Sequence, residues 1–355
     1  MVDSGLGARP GTGQVEAPPR RILVIGPSWL GDMVMAQSMF KLLARAAGTV
    51  IEVLAPPVFS PLLSRMPEVG DCIASPFQSG HLDLRARYRL GRELAERKYD
   101  QAIILPNSWK SALTPYWARI PVRTGYVGEQ RWGLVNDMRR LDKRKLPMTV
   151  QRFAALATAE DDTSFEIDPV RPMLKSYPRA QQSAARCVDV EVEGGPVLAL
   201  IPGARYGPAK RWPAEYFAQL ASSILDRGWR VWLLGSSGDA KLAADINHRC
   251  AGKCVDLSAR TTIDQAIDLM SLAAVIVSND SGMMHVAAAL GKPLVAIFGS
   301  TDPGHTPPLS PNSKVVYLGL SCSPCFKREC PLHHLNCLTG VTPGHVLDAV
   351  DEVAG

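Results

Sequence analysis

The chain has 355 residues, of which 46% are hydrophobic and 21% charged, and a formal net charge of +5. That length exceeds what one core usually serves, so two domains are expected, and the composition is that of an ordinary soluble globular protein. No apolar run is long enough to cross a bilayer, no signal-peptide pattern opens the chain, and the small charge excess without a nucleic-acid motif argues against a nucleic-acid partner, so a cytoplasmic location is expected.

Residues 1–20, rich in Gly, Pro and Ala, read as a disordered tail. A buried strand follows at Ile22 to Ile25, Gly26 and Pro27 break it, and the apolar positions Met33, Val34, Met35, Met39, Leu42 and Leu43 suit one face of a helix. A turn feeding a helix start is a ready anion site, yet neither GxGxxG nor GxxxxGK[ST] is present, and Asp32 in the first helical turn would repel phosphate. Asp32 is therefore either a charge that stabilises the helix start or a group with chemistry of its own.

Further strands are expected at Ile51 to Leu54, Cys72 to Ala74 and Gln101 to Leu105, with a helix at Arg85 to Lys98. The pattern becomes polar from about Glu160. A first domain over 21–175, a linker over 176–195, a second domain over 196–341 and a C-terminal helix over 342–355 follow. In the second domain, strands at Val197 to Ile201, Arg230 to Leu234, Val275 to Val277 and Leu294 to Phe298 alternate with helices at Ala214 to Asp226, Ala240 to Cys250, Thr262 to Leu272 and Gly282 to Leu290. This α/β alternation predicts two Rossmann-like domains with parallel sheets and a site in the cleft at the strands' carboxyl ends.

Charge is uneven between the halves. Residues 21–175 carry 22 basic against 16 acidic side chains, whereas 176–355 carry 15 against 16. An acidic partner is expected on the first domain, with Arg85, Arg87, Arg89 and Arg92, or Arg139, Arg140, Lys143, Arg144 and Lys145, as candidates; a solvated face explains either cluster alone.

Three loops of the second domain leave the carboxyl ends of strands. In IPGARYGPAKRWP, Gly203 and Gly207 allow close backbone approach and Lys210 supplies a cation suited to a diphosphate, although an exposed lysine is the simpler reading. In LLGSSGDA, Gly235, Ser236 and Gly238 form a turn, and Asp239 is either a ribose acceptor or a helix cap. In SNDSGMMH, the backbone N–H groups of Ser281, Gly282 and Met283 suit phosphate, Asp280 suits sugar hydroxyls, and His285 is by default a packed core histidine. Together they fit a nucleoside diphosphate sugar, which leaves the acceptor to the first domain and puts Asp32 across the cleft, where a carboxylate could take a proton from an attacking hydroxyl.

Cys72, Cys187, Cys250 and Cys254 are expected as buried free thiols. Cys322, Cys325, Cys330 and Cys337 cluster with His333 and His334 at a spacing that matches no standard zinc finger, so structural zinc, disulfides and free thiols stay open.

The segments ILVIGPSWLGDMVMAQS, PLLSRMPEV, ILPNSWKSAL, PGARYGPAKRWP, LLGSSGDA and SNDSGMMHVAAALGKPLVAIFGSTDP resemble the ADP-heptose:lipopolysaccharide heptosyltransferases (glycosyltransferase family 9), and within them the type II members most closely. The resemblance implies the GT-B fold and inverting heptose transfer without a catalytic metal, from ADP-heptose to heptosylated Kdo-lipid A at the inner face of the inner membrane. It makes Asp32 the general base and Lys210 the diphosphate ligand. Asp239 would contact the ribose and Asp280 the heptose hydroxyls, with Ser281, Gly282, Met283 and His285 completing the donor pocket. Asn107, Ser108, Trp109 and Lys110 are the expected acceptor-side residues. Heptosyltransferase I or III, another GT-B transferase, a nucleotide-sugar epimerase and a non-catalytic nucleotide-sugar-binding scaffold are the alternatives.

Overall fold

The computed structural model describes residues 20–77, 80–159 and 170–355. The expected tail, apart from Arg20, and residues 160–169 of the polar stretch lie outside the described residues. Two six-stranded sheets, both parallel throughout, form the frame. The first contains β1 (Arg21–Ile25), β2 (Val50–Ala55), β3 (Asp71–Ala74), β4 (Gln101–Ile104), β5 (Val122–Tyr126) and β6 (Asp137–Arg139), in the order β3-β2-β1-β4-β5-β6. The second contains β7 (Val197–Ile201), β8 (Arg230–Leu233), β9 (Val255–Asp256), β10 (Val275–Asn279), β11 (Leu294–Ile297) and β12 (Ser313–Val316), in the order β12-β11-β10-β7-β8-β9. Central strands such as Leu198 to Leu200 are wholly buried, because helices cover both faces of each sheet, and they therefore read in sequence as unbroken apolar runs.

The helices of the first half are α1 (Leu30–Leu43), α2 (Ser60–Leu63), α3 (Leu84–Ala95), α4 (Leu113–Trp117) and α5 (Thr149–Ala154). Those of the second are α6 (Pro178–Cys187), α7 (Ala214–Asp226), α8 (Ala240–Arg249), α9 (Ile263–Leu272), α10 (Gly282–Ala289), α11 (Asn336–Thr339) and α12 (Pro343–Ala354). Leu90 and Leu94 of α3, with Ala112, Ala118 and Ile120 on either side of α4, close the outer face of the first sheet, and α7, α8 and α12 close the outer face of the second. Between the sheets, α1, α6, α9 and α10 share one continuous core, in which Met39 and Phe40 of α1 belong to the same cluster as Met284 and Val286 of α10.

The span expected to be the linker, 176–195, carries α6, an amphipathic helix whose buried face is only Ala184 and Ala185, so it lacks the large apolar residues that mark the other helices in sequence. Just before it, the chain stitches the two halves together. Gln37 exchanges two hydrogen bonds with the backbone of Met173, Leu174 N–H donates to Ala289 O, and Arg65 makes a bidentate pair with Asp268 at 2.6 and 2.7 Å. Asp268 also accepts from Ser176 Oγ. Both members of that ion pair are nearly buried, with side-chain exposures of 11% and 4%.

Candidate active site

In each sheet the strand order reverses once, between β1 and β4 and between β7 and β10, and at such a reversal the loops diverge and leave a crevice at the carboxyl ends. The loops singled out in the sequence leave these strands or their immediate neighbours. Asp32 follows β1, Asn107 to Lys110 follow β4, Gly203 to Lys210 follow β7, Gly235 to Asp239 follow β8 and Asp280 to His285 follow β10.

On the first domain, Gly26 N–H donates to Leu54 O, and a β-carbon there would meet Met33 Cε at 2.7 Å and Leu54 O at 3.3 Å, so the turn into α1 is closely packed. Gly31 brings α1 against α10: a β-carbon on it would lie 2.8 Å from His285 Cδ2 and 3.4 Å from Gly282 Cα. Asp32 is thus placed at the seam between the domains, half-buried. Burial raises its carboxyl pKa above the ordinary value, while the nearby His305 and Lys210 side chains pull it back.

On the second domain, Lys210 Nζ meets Asp280 Oδ2 at 2.5 Å and lies 4.9 Å from the Tyr206 ring centroid. An ammonium has three protons, so this contact leaves two for other partners. Its loop is held by Asn279, whose Oδ1 accepts from Trp212 N–H and whose Nδ2 donates to Pro202 O. Buried Asp280 also accepts from Thr301 Oγ1 at 2.5 Å, which fixes the carboxylate between a cation and a hydroxyl. Ser281 Oγ caps α10 by accepting from Met284 N–H, while Ser281, Gly282 and Met283 remain partly accessible at its amino end. His285 is buried, and burial lowers its pKa to about 4, so the ring is neutral near pH 7 and packs between the domains as the packed-core reading expects.

Asp239 accepts from the backbone N–H and hydroxyl of Ser236, which is the helix-cap arrangement, and it lies so close to Gly203 that a β-carbon there would be 2.4 Å from its carboxylate. This packing brings the β7 and β8 loops together. Of the acceptor-side residues, Asn107 and Trp109 are exposed beside the end of β1, whereas Lys110 turns its ammonium to His81 O at 3.3 Å. Asn107 Oδ1 accepts from Arg131, and Trp109 N–H donates to Glu129.

Two further residues join the site: Thr301, in the Gly299 to Pro303 turn that the sequence already directs at the cleft, and His305, which carries no local signal. Thr301 follows β11 and binds Asp280. His305 donates from Nδ1 to Pro147 O at 2.9 Å, and its backbone carbonyl accepts from Thr149 N–H, so it bridges the domains beside Asp32. Its partners lie more than 150 positions away in the chain, beyond any local pattern.

Cys322, Cys325, Cys330 and Cys337, with His334, line one small cavity. All eight cysteines are unbonded thiols, and among the described residues no group of three or more His, Cys, Asp or Glu side chains is placed to hold a metal ion. Cys187, expected to be buried, is exposed at the end of α6. The cysteine-rich segment braces the loops that follow β7 and β11. Tyr206 hydroxyl donates to Phe326 O, Ala209 N–H to Arg328 O and Phe326 N–H to Ser300 O.

Two Rossmann-like domains facing across a cleft, with a carboxylate on one side and a cation and an open helix start on the other, define the GT-B class of glycosyltransferases. The family model described as glycosyltransferase family 9 (heptosyltransferase) matches residues 87–336. Lipopolysaccharide heptosyltransferase 2 of Escherichia coli K12 is 42% identical over 343 residues, covering 94% of this chain and 98% of that one. Lipooligosaccharide heptosyltransferase 2 of Haemophilus influenzae is 40% identical over 307 residues, 84% and 88% of the two chains. The solved structure of E. coli ADP-heptose lipopolysaccharide heptosyltransferase II superimposes with a TM-score of 0.84 at 39% identity, covering 94% of this chain and 98% of that one. The chain belongs to glycosyltransferase family 9, and it is a glycosyltransferase.

Proposed function

We propose that the protein is a type II heptosyltransferase. It moves a heptose with inversion from ADP-heptose to the first heptose of a Kdo-lipid A acceptor, in the cytoplasm at the inner face of the inner membrane. The observation that carries the mechanism is the placement of Asp32, in a partly dry seam, facing Lys210 and His305 of the opposite domain. Similarity to relatives named as heptosyltransferase 2 supports the choice of sugar and acceptor.

In this reading, the second domain holds the donor. Lys210 and the amide groups of Ser281, Gly282 and Met283 face the diphosphate, Asp239 the ribose and Asp280 the heptose hydroxyls, while His285 packs behind them. Gly203, Gly235 and Ser236 shape the nucleotide side. Asn107, Ser108, Trp109 and Lys110 line the acceptor side. Asp32 accepts the proton of the acceptor hydroxyl as its oxygen bonds to the anomeric carbon; the bond from that carbon to the diphosphate oxygen breaks, and its electron pair leaves with ADP. Lys210 and the amino end of α10 offset the charge that develops there. A single displacement of this kind inverts the anomeric centre, and the charge work is assigned to protein groups rather than to a metal. The four clustered cysteines are assigned a structural role, in bracing the loops of Tyr206 and Ser300.

The test is incubation of the protein with ADP-heptose and acceptors bearing no, one or two heptoses. Turnover confined to the one-heptose acceptor is expected. Turnover only on the bare acceptor would make it a type I enzyme, and donor binding without any turnover would make it a scaffold. Dialysis against a chelator is expected to leave turnover unchanged.

A further inference from the structure

On the outer face of the first domain, Tyr88, Arg92, Tyr116, Trp117, Arg119 and Arg123 line an open pocket of about 430 Å³. Three guanidinium groups converge there and no carboxylate lines it. Arg123 is locked by hydrogen bonds to the carbonyls of Ile120, Gly133 and Leu134, none of which neutralises its charge. Among the described residues, Arg92 and Arg119 have no side-chain hydrogen bond or ion pair. Arg85 and Arg89 project from the same helix, exposed and likewise unpaired. The basic cluster of α3 is therefore split: Arg87 is buried, 4.0 Å from the Phe77 ring centroid and bonded to the carbonyls of Leu82 and Lys110, and the others remain outside.

Exposed apolar groups accompany these charges. Leu84 is 47% exposed, Tyr88 52%, Tyr116 46% and Val122 42%. The stripe starts at the cleft rim, where Lys110 Nζ bonds His81 O and so ties the start of α3 to the Trp109 turn, and it runs down α3 to the pocket beside the start of β5. Twelve residues of helix cover about 18 Å. A monopole of positive charge interleaved with aromatic and aliphatic side chains matches the headgroup layer of an anionic bilayer, where rings and chains enter the interface and guanidinium groups meet phosphates.

We propose that this α3–α4 face is the surface by which the protein docks on anionic phospholipid, with the arginine pocket seating a headgroup phosphate. The proposal rests on the reading of a lipid-linked acceptor, since a face that reaches from the pocket to Trp109 lays the cleft rim against the membrane. No helix among the described residues is long and apolar enough to cross a membrane, so contact through such a face is the route the fold provides.

Sedimentation of the full chain with phosphatidylcholine vesicles, with or without phosphatidylglycerol, tests it. Binding is expected only to the anionic vesicles. The paired variant Arg92→Gln/Arg119→Gln should weaken it about 30-fold, at roughly fivefold per arginine. Tyr88→Ser should weaken it further, and the control pair Lys143→Gln/Arg144→Gln, in the other basic cluster, should leave binding within twofold. Equal binding to neutral vesicles, or wild-type binding by the Arg92/Arg119 pair, would overturn the proposal. So would displacement by inorganic phosphate at matched ionic strength, which would mark a site for free anions. Transfer to a detergent-dispersed acceptor, which needs no membrane, is expected to be unchanged in all these variants. Its absence in the wild-type protein would refute the assigned activity while leaving the vesicle result standing.

Discussion

Gly31→Ala sets two effects of known size against each other. Gly31 is in the first turn of α1, where alanine is intrinsically the better helix former by up to about 1 kcal/mol. The new methyl would, however, sit 2.8 Å from Cδ2 of a buried imidazole on the other domain, where ordinary carbon contacts begin near 3.5 Å. Relief requires α1 and α10 to part by about 0.7 Å or more, and inserting a methyl into a packed seam typically costs about 1–3 kcal/mol. The seam should win, leaving net stability slightly lower. The larger effect is on chemistry, because the displaced helix carries Asp32 and its partner carries the donor-side amides. A misplacement approaching 1 Å costs about 100-fold in rate. Steady-state ADP release with a one-heptose acceptor and thermal denaturation would be measured on the same preparations. Trimming the opposing ring should relieve the clash, so Gly31→Ala/His285→Ala is expected to be no slower than His285→Ala alone. A Gly31→Ala protein with a raised Tm and wild-type turnover would refute the argument, since propensity would then have acted without steric opposition.

Asp32→Asn should reduce kcat by about 100- to 10,000-fold with little change in ADP-heptose affinity, as loss of a general base requires, and isothermal titration beside turnover would separate the two. The same variant should be more stable than wild type at neutral pH. Because burial raises the folded-state pKa of Asp32, the folded protein holds that proton more tightly than the unfolded chain; the gap should therefore close as pH falls through the folded value towards 3.8. Lys210→Met removes a charge that lowers the pKa of Asp32, so the acid limb of kcat/KM should move to higher pH, and donor affinity should fall about 10- to 100-fold; an unmoved limb would place Lys210 out of reach of the base. His285, with a folded-state pKa lowered from 6.5 to about 4, should make stability fall with acidification between those values, by about 3 kcal/mol at the limit, as the unfolded chain takes up the proton first. Denaturant midpoints for wild type and His285→Gln across that range would check it, and parallel curves would exclude His285 as the source.

What was legible in the sequence follows burial and locality. β1, β7, β10 and β11 are continuous apolar runs because both faces of each strand are covered, and they stand out from their flanking turns. β6, with the residues Asp137, Met138 and Arg139, and the two-residue β9 are edge strands too short and too polar to show any period. β5 and β12 escape for related reasons, Val122 being exposed and Lys314 charged. The candidate site divides in the same way. Asp32, Lys210 and Asp280 sit in loops whose glycines and strand ends mark them. Thr301 sits in the Gly299 to Pro303 turn, marked in the same way, whereas His305 acts through contacts that only the assembled fold creates. Asp239 keeps both of the roles the sequence offered for it open, since a carboxylate that caps a turn through one oxygen has a second oxygen for another partner.

The seam between the two halves has a consequence for how turnover is governed. In the proposed reaction the proton acceptor comes from one half and the donor contacts from the other, so the reacting distance would be a property of neither half alone. Leu174 with Ala289 and Arg65 with Asp268, neither of which belongs to the cleft, share in setting it with the Gly31–His285 contact at the seam. Breaking the Arg65–Asp268 clasp would strand a buried carboxylate, so the two halves are held firmly together at that point. If the proposed reaction holds, its rate should respond to substitutions at Arg65 and Asp268, neither of which is among the proposed site residues.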